Sequence, residues 1–186
     1  MSNPPIPNEW YRLGPFTVFD IETTGMSPVY HRIVEIAAIR IDIDGIQSRY
    51  QALINPGCDI PAQLTAVHGI TDDMIKDADM FSQAGYDFMD FSEGSTLVAH
   101  NARFDLSFLQ ESLVRVGLRP WKGKTMDTIP LIKRAYPGLT SYSLQNLRFT
   151  FGLDYDAGPA HRAFADVEWT LEIFAMTMKR LLGGGL

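Results

Sequence analysis

Cysteine is nearly absent from this chain: Cys58 stands alone. A lone thiol closes no internal disulfide, so stability must come from the core, and a reducing, cytoplasmic compartment is expected. No run of about 18 apolar residues occurs, so neither a membrane-spanning helix nor a membrane partner is expected. The first ten residues, M-S-N-P-P-I-P-N-E-W, carry neither a basic patch nor an apolar segment, so no secretory leader is expected. Internal repeats are missing, and the only low-complexity block is Gly183-Gly184-Gly185. Basic residues are scarce early on. Residues 1–100 hold 5 Lys/Arg against 14 Asp/Glu, a net of −9, whereas residues 101–186 hold 11 against 8, a net of +3. The overall charge of −6 argues against a general nucleic-acid coat protein, and part of the acidity suits a bound divalent cation.

What is present describes one ordinary domain. The 186 residues are 46% hydrophobic and 20% charged, enough for a sizeable core. Residues 1–15 are Pro-rich and read as an extended arm, 16–182 as a single domain and 183–186 as a flexible tail. The stretch Phe16 to Gly25, F-T-V-F-D-I-E-T-T-G, reads as a buried strand over about 16–22. It nevertheless carries Asp20 and Glu22, two residues apart and so on one face, with Cα atoms roughly 6.5–7 Å from each other. Like charges on a half-buried face repel and resist desolvation. A divalent cation between them resolves the conflict. A turn-capping Asp with a surface-paired Glu, or a carboxylate pair for acid–base chemistry, are the alternatives at this point.

A second strand lies within 31–44, and Asp44-Gly45 signals a hairpin into a third at about 46–54. Helices are expected near 61–67, after Thr71 as a cap, and at 81–91. A short buried strand follows at 96–100, then a helix capped by Asn101 and running to about Val116. Thr125-Met126-Asp127 reads as a strand, and 128–135, 143–151 and 163–182 as helices. Three antiparallel strands followed by alternating β and α elements predict an α/β fold, a mixed five-stranded sheet flanked by helices.

Two further acids lie on apolar stripes near helix starts. Asp105 shares its face with Phe108, Leu109 and Leu113, and Asp166 with Trp169, Thr170, Ile173 and Phe174. His161 meets Asp166 only if it sits on the loop ahead of that helix, which Gly158-Pro159 permits. Four inward-facing acids are hard to justify by stability. They suit a hard cation with oxygen ligands, Mg²⁺ or Mn²⁺.

The segments D-I-E-T-T-G (Asp20, Glu22), H-N-A-R-F-D (Asp105) and H-R-A-F-A-D (His161, Asp166) resemble the three motifs of the DEDD exonuclease superfamily, in the branch with a catalytic His. N-P-G-C-D-I-P, V-H-G-I-T-D-D-M, M-D-T and Y-S-L-Q-N-L extend the likeness across about 16–182, and the chain is similar to the proofreading exonuclease subunit or domain of bacterial DNA polymerase III. The resemblance implies an RNase H-like fold and 3′→5′ release of nucleoside 5′-monophosphates from single-stranded DNA or RNA ends, DNA being favoured. It implies that Asp20, Glu22, Asp105 and Asp166 hold two metal ions and that His161 is the general base. It places Thr23, Val67, His68 and Phe104 beside the terminal nucleotide. A core role for Phe104, a turn-ordering role for His68 and a structural role for His100 are the plainer readings. Gly183 to Leu186 suggest no polymerase tether, so a free-standing nuclease is expected as readily as a proofreading one.

The charge pattern suggests a path for the nucleic acid. Residues 115–134 hold Arg115, Arg119, Lys122, Lys124, Lys133 and Arg134 against the single acid Asp127, with Trp121 as a stacking surface. This segment is expected to contact backbone phosphates, unless the cations are an ordinary solvated loop.

Overall fold

The computed structural model describes residues 7–153 and 162–183. Its centre is a five-stranded sheet in the order β3-β2-β1-β4-β5. The strands are β1 (Phe16–Thr23), β2 (Ile33–Ile41), β3 (Gln47–Leu53), β4 (Thr96–Ala99) and β5 (Thr125–Asp127). β1, β2 and β3 form an antiparallel meander, and β4 and β5 add in parallel beside β1. The helices are α1 (Ala62–His68), α2 (Asp72–Ile75), α3 (Phe81–Phe91), α4 (Ala102–Arg115), α5 (Thr128–Ala135), α6 (Leu144–Thr150) and α7 (Ala163–Leu182). This is the mixed sheet flanked by helices that the strand and helix patterns predict. Among the described residues, no helix is long and apolar enough to cross a membrane.

The strand period of two divides β1 between two cores. Phe19 and Ile21 face α3 and α4, packing with Phe88, Phe108, Leu109 and Leu113. Phe16 and Val18 face α7, packing with Val167, Leu171 and Phe174. Asp20 and Glu22 continue the α7-facing series, so they lie on the side from which α7 approaches. The pairing of β1 with β2 slips at its end: Glu22 lies opposite Glu35 but Thr23 opposite Ile33, leaving Val34 as a bulge.

Three local expectations need correcting. Pro7–Leu13 winds into 3-10 turns with a kink at Glu9, rather than extending as an arm. Trp10 is the reason: it is buried against Phe16 and Phe174, with ring centroids 5.8 and 5.3 Å away. Asn101 does precede α4, but its side chain makes no capping bond and its backbone is left-handed, φ 63°. Its N–H instead donates to Asp127 Oδ1 at 3.3 Å. Thr71 likewise precedes α2 without a side-chain cap.

Candidate active site

β1 delivers Asp20 and Glu22 as it runs out of the sheet, and the first turn of α7 delivers Asp166. One carboxylate oxygen from each of these three residues lies within 4.8 Å of the other two. Asp105, in the first turn of α4, is buried beside them. It is not a member of that tight group, but its charge acts on Asp20 more strongly than that of Asp166 or Glu22.

The electrostatics are those of a site built for a cation. Burial, then Asp105, Asp166, Glu22 and Glu35, hold the Asp20 carboxyl well above the usual carboxylate range. Burial and the charges of Asp166, Glu35 and Asp105 push Glu22 up to about 9, against a smaller pull from Arg162. Burial raises Asp105 to about 8, partly offset by the backbone N–H groups of Asp105 itself and Ile21. The donor set is all carboxylate oxygen, which fits a hard divalent ion, and a positive charge there relieves the repulsion. Asp20, Glu22 and Asp166 are the residues placed to hold one, with Asp105 alongside.

The remaining expected residues divide. His161 lies outside the described residues. Thr23 is buried, and its hydroxyl donates to the Gly25 carbonyl at 2.7 Å, closing the turn that ends β1. Val67 is exposed on α1. His68 is buried; its Nδ1 accepts from the Ile70 N–H at 3.1 Å, so the ring orders the turn after α1. Burial pushes its pKa down against the nearby Thr23 carbonyl and Glu35 charge, keeping the ring neutral. Phe104 is half-buried, 5.0 Å from the Phe108 ring between centroids, with part of its surface left to solvent. His100 is structural, bonded to the Thr128 hydroxyl at 2.7 Å and the Tyr142 carbonyl at 2.9 Å.

Part of the basic segment lies at the opposite edge of the sheet from this site. β4 and β5 are parallel to β1, with Thr17 level with Leu97 and Leu97 with Thr125. Lys122 and Lys124 precede β5 and therefore sit at the edge where β1 begins, roughly 16 Å of strand away from Glu22. Trp121 is buried in the core, exchanging bonds with the Gln110 amide at 2.8 and 3.0 Å, so it offers no stacking surface. Arg115 is spent on the Pro28 and Val29 carbonyls at 2.9 and 3.0 Å.

Two residues of the site escape a reading of the acid motifs. Glu35 is fully buried on β2, opposite Glu22, and Arg162 is paired with it at 3.0 Å. A carboxylate inside the apolar run I-V-E-I-A-A-I is the signal that marks Glu35, but only the strand register shows that it faces the site.

Residues 17–174 match the exonuclease family model, and the chain belongs to this family, as a nuclease of the DEDD type with the RNase H-like fold. It is 41% identical over 161 residues to DNA polymerase III subunit epsilon of Treponema pallidum, covering 86% of this chain and 74% of that protein. It is 36% identical over 168 residues to the PolC-type DNA polymerase III of Caldanaerobacter subterraneus, covering 90% of this chain but 12% of that much longer protein. Exonuclease X, solved in complex with 5′ overhanging duplex DNA, superposes with a TM-score of 0.65 at 29% identity, covering 92% of this chain and 94% of that one. Exonuclease I of E. coli, solved with an oligonucleotide, shares the fold with a TM-score of 0.76 at 20% identity, over 87% of this chain and 40% of that one.

Proposed function

We propose that this protein removes nucleoside 5′-monophosphates one at a time from the 3′ ends of single-stranded DNA, in the cytoplasm, using two divalent ions, Mg²⁺ or Mn²⁺. The observation that carries the reading is the convergence of the Asp20, Glu22 and Asp166 oxygens within 4.8 Å, beside buried Asp105. Four carboxylates with raised pKa values or mutual repulsion make a poor stabilising core and a good cation site. Preference for DNA draws on exonuclease X and exonuclease I, both solved with nucleic acid bound, and on the polymerase relatives.

Divalent ions bound by these carboxylates supply charge neutralisation and Lewis acidity at the scissile phosphate. The chain's own residues do the rest. Asp20, Glu22, Asp105 and Asp166 hold the reacting phosphate's counter-charge in a fixed place. His161 takes the proton of the attacking water, imidazole being the side chain suited to that transfer around neutral pH. Phe104, half-buried against Phe108, stacks on the terminal base, and exposed Val67 and the Thr23 turn contact the same nucleotide. The test is release of mononucleotides from 3′-labelled and 5′-labelled single strands of DNA and RNA, with Mg²⁺, Mn²⁺ or chelator. Cation-dependent loss from the 3′ end, faster on DNA, is expected. Release from the 5′ end, or activity undiminished by chelator, overturns the proposal, and faster trimming of RNA reassigns the substrate.

A further inference from the structure

Glu35 has an arrangement that packing alone does not call for. Its side chain is fully buried, yet it is a carboxylate inside a strand. Oε1 accepts from Gln51 Nε2 at 2.8 Å and from an Arg162 terminal nitrogen at 3.0 Å. Oε2 accepts from Arg162 Nε at 3.3 Å and from the Ala163 N–H at 3.2 Å. The guanidinium thus grips the carboxylate as a two-toothed fork. The fourth bond is different in kind. Ala163 is the first residue of α7, and its N–H is one of the donors a helix start leaves without an internal partner. No side chain of α7's own capping residue, Arg162, fills that role. Glu35 caps α7 from across the sheet, with a negative charge at the positive end of a 20-residue helix.

We infer that Glu35 and Arg162 form a latch that sets where α7 enters the metal site, making both of them positioning residues for the reaction proposed above, on which this inference rests. The geometry restricts them to that role. Glu35's four accepted bonds use its lone pairs, and it is not among the three residues whose oxygens converge, so it is not itself a cation ligand. Asp166 lies one turn after Ala163, and its N–H donates to the Arg162 carbonyl at 3.2 Å. Any slip of Arg162 therefore moves Asp166 relative to Asp20 and Glu22. The bulge at Val34 sits between Ile33 and Glu35, where it turns the strand next to the latch. Arg162 also follows His161 directly in the chain, so the latch fixes the point where the segment carrying the proposed base joins α7.

The experiment compares wild type with Glu35→Gln, Arg162→Ala, Arg162→Lys and the Glu35→Gln/Arg162→Ala double variant. Mn²⁺ affinity is measured by calorimetry without nucleic acid, and kcat and KM separately on single-stranded DNA, well below each melting temperature. Outer partners of a metal site are worth about 10–100-fold in affinity or activity. Glu35→Gln and Arg162→Ala should each lose about that much in Mn²⁺ affinity and kcat, with KM within about twofold. Arg162→Lys, which keeps the charge but not the fork, should fall between. The double variant should be no worse than the poorer single variant, because one latch is broken once. Folded variants with wild-type Mn²⁺ affinity and kcat, or a lowered melting temperature alone, would overturn the latch, as would losses that multiply. Arg162→Lys and Arg162→Ala, at a partly exposed residue, carry the test should Glu35→Gln not fold. Failure of wild type itself to bind Mn²⁺ or release nucleotides identifies the functional proposal as the part at fault, and the latch falls with it.

Discussion

A carboxyl pushed up to about 9, as Glu22 is, keeps its proton at neutral pH when no cation is present. Burial comes first among the causes, and it acts on Asp20 and Asp105 as well. In the unfolded chain Glu22 returns to its ordinary value of 4.5. Between those two values the folded, metal-free protein binds more protons than the unfolded chain, so its stability falls as pH rises. This contribution is complete below the unfolded value and is lost as pH climbs through the folded one. Cation binding displaces the protons, so stabilisation by Mn²⁺ should grow with pH. Thermal melts in chelator and in Mn²⁺, from about pH 5 to about 9, should show a widening gap; a constant gap would mean that the acids are not raised together. Asp20→Asn should nearly abolish turnover with the fold intact, and should raise the melting temperature in chelator at pH values high enough to ionise the cluster, by removing one repelling charge. A clear drop in that temperature would count against convergence of the acids. His161→Ala should cost about 10²–10⁴-fold in kcat and leave Mn²⁺ affinity in place. An acid limb of the pH–rate profile unchanged in that variant would assign the titration to another group.

Among the elements, the turn leaving β1 is the most tightly specified. A Cβ at Gly25 would lie 2.3 Å from the His31 ring, whose Nδ1 accepts from the Ser27 N–H at 3.1 Å. Gly25→Ala must therefore expel the imidazole and free that loop, at about 1–3 kcal/mol by the usual cost of overpacking. Denaturant melts should show the loss, and His31→Ala in the same chain should restore part of it; no restoration would locate the strain elsewhere. The strands and helices themselves were legible because their patterns are strong: β-branched runs broken by Asp44-Gly45 or Asn55-Pro56-Gly57, and apolar stripes at helical spacing under Asp105 and Asp166. Pro7–Leu13 was not, because the prolines in and around it signal extension while the burial of Trp10, a tertiary effect, decides the outcome. Glu35 was missed for a related reason. Periodicity tells which residues share a face of one strand, but not which residue of the next strand lies opposite.

For the whole molecule, linear charge clustering is a poor guide to distance from the site. Lys122 and Lys124 are close in sequence to residues near the site, but the parallel topology carries them to the other edge of the sheet. Replacing Arg119, Lys122 and Lys124 together by Ala should therefore leave kcat, KM and the salt dependence of binding as in wild type. A salt slope flattened by about 0.7 per lost contact would restore the basic segment as a phosphate contact. The acids, by contrast, were legible as a set, since each breaks a local rule: Asp20 and Glu22 in a buried strand, Asp105 and Asp166 on buried helix stripes. Their separation along the chain has a mechanical consequence. β1 comes early in the fold and α7 comes late, so an ion held by both Asp20 and Asp166 would close a loop that takes in most of the sheet and its helices. It would act as a removable cross-link between the first strand and the last helix. Fraying of β1 from α7 would then depend on the ion supply, and the enzyme would wear its cofactor as a clasp.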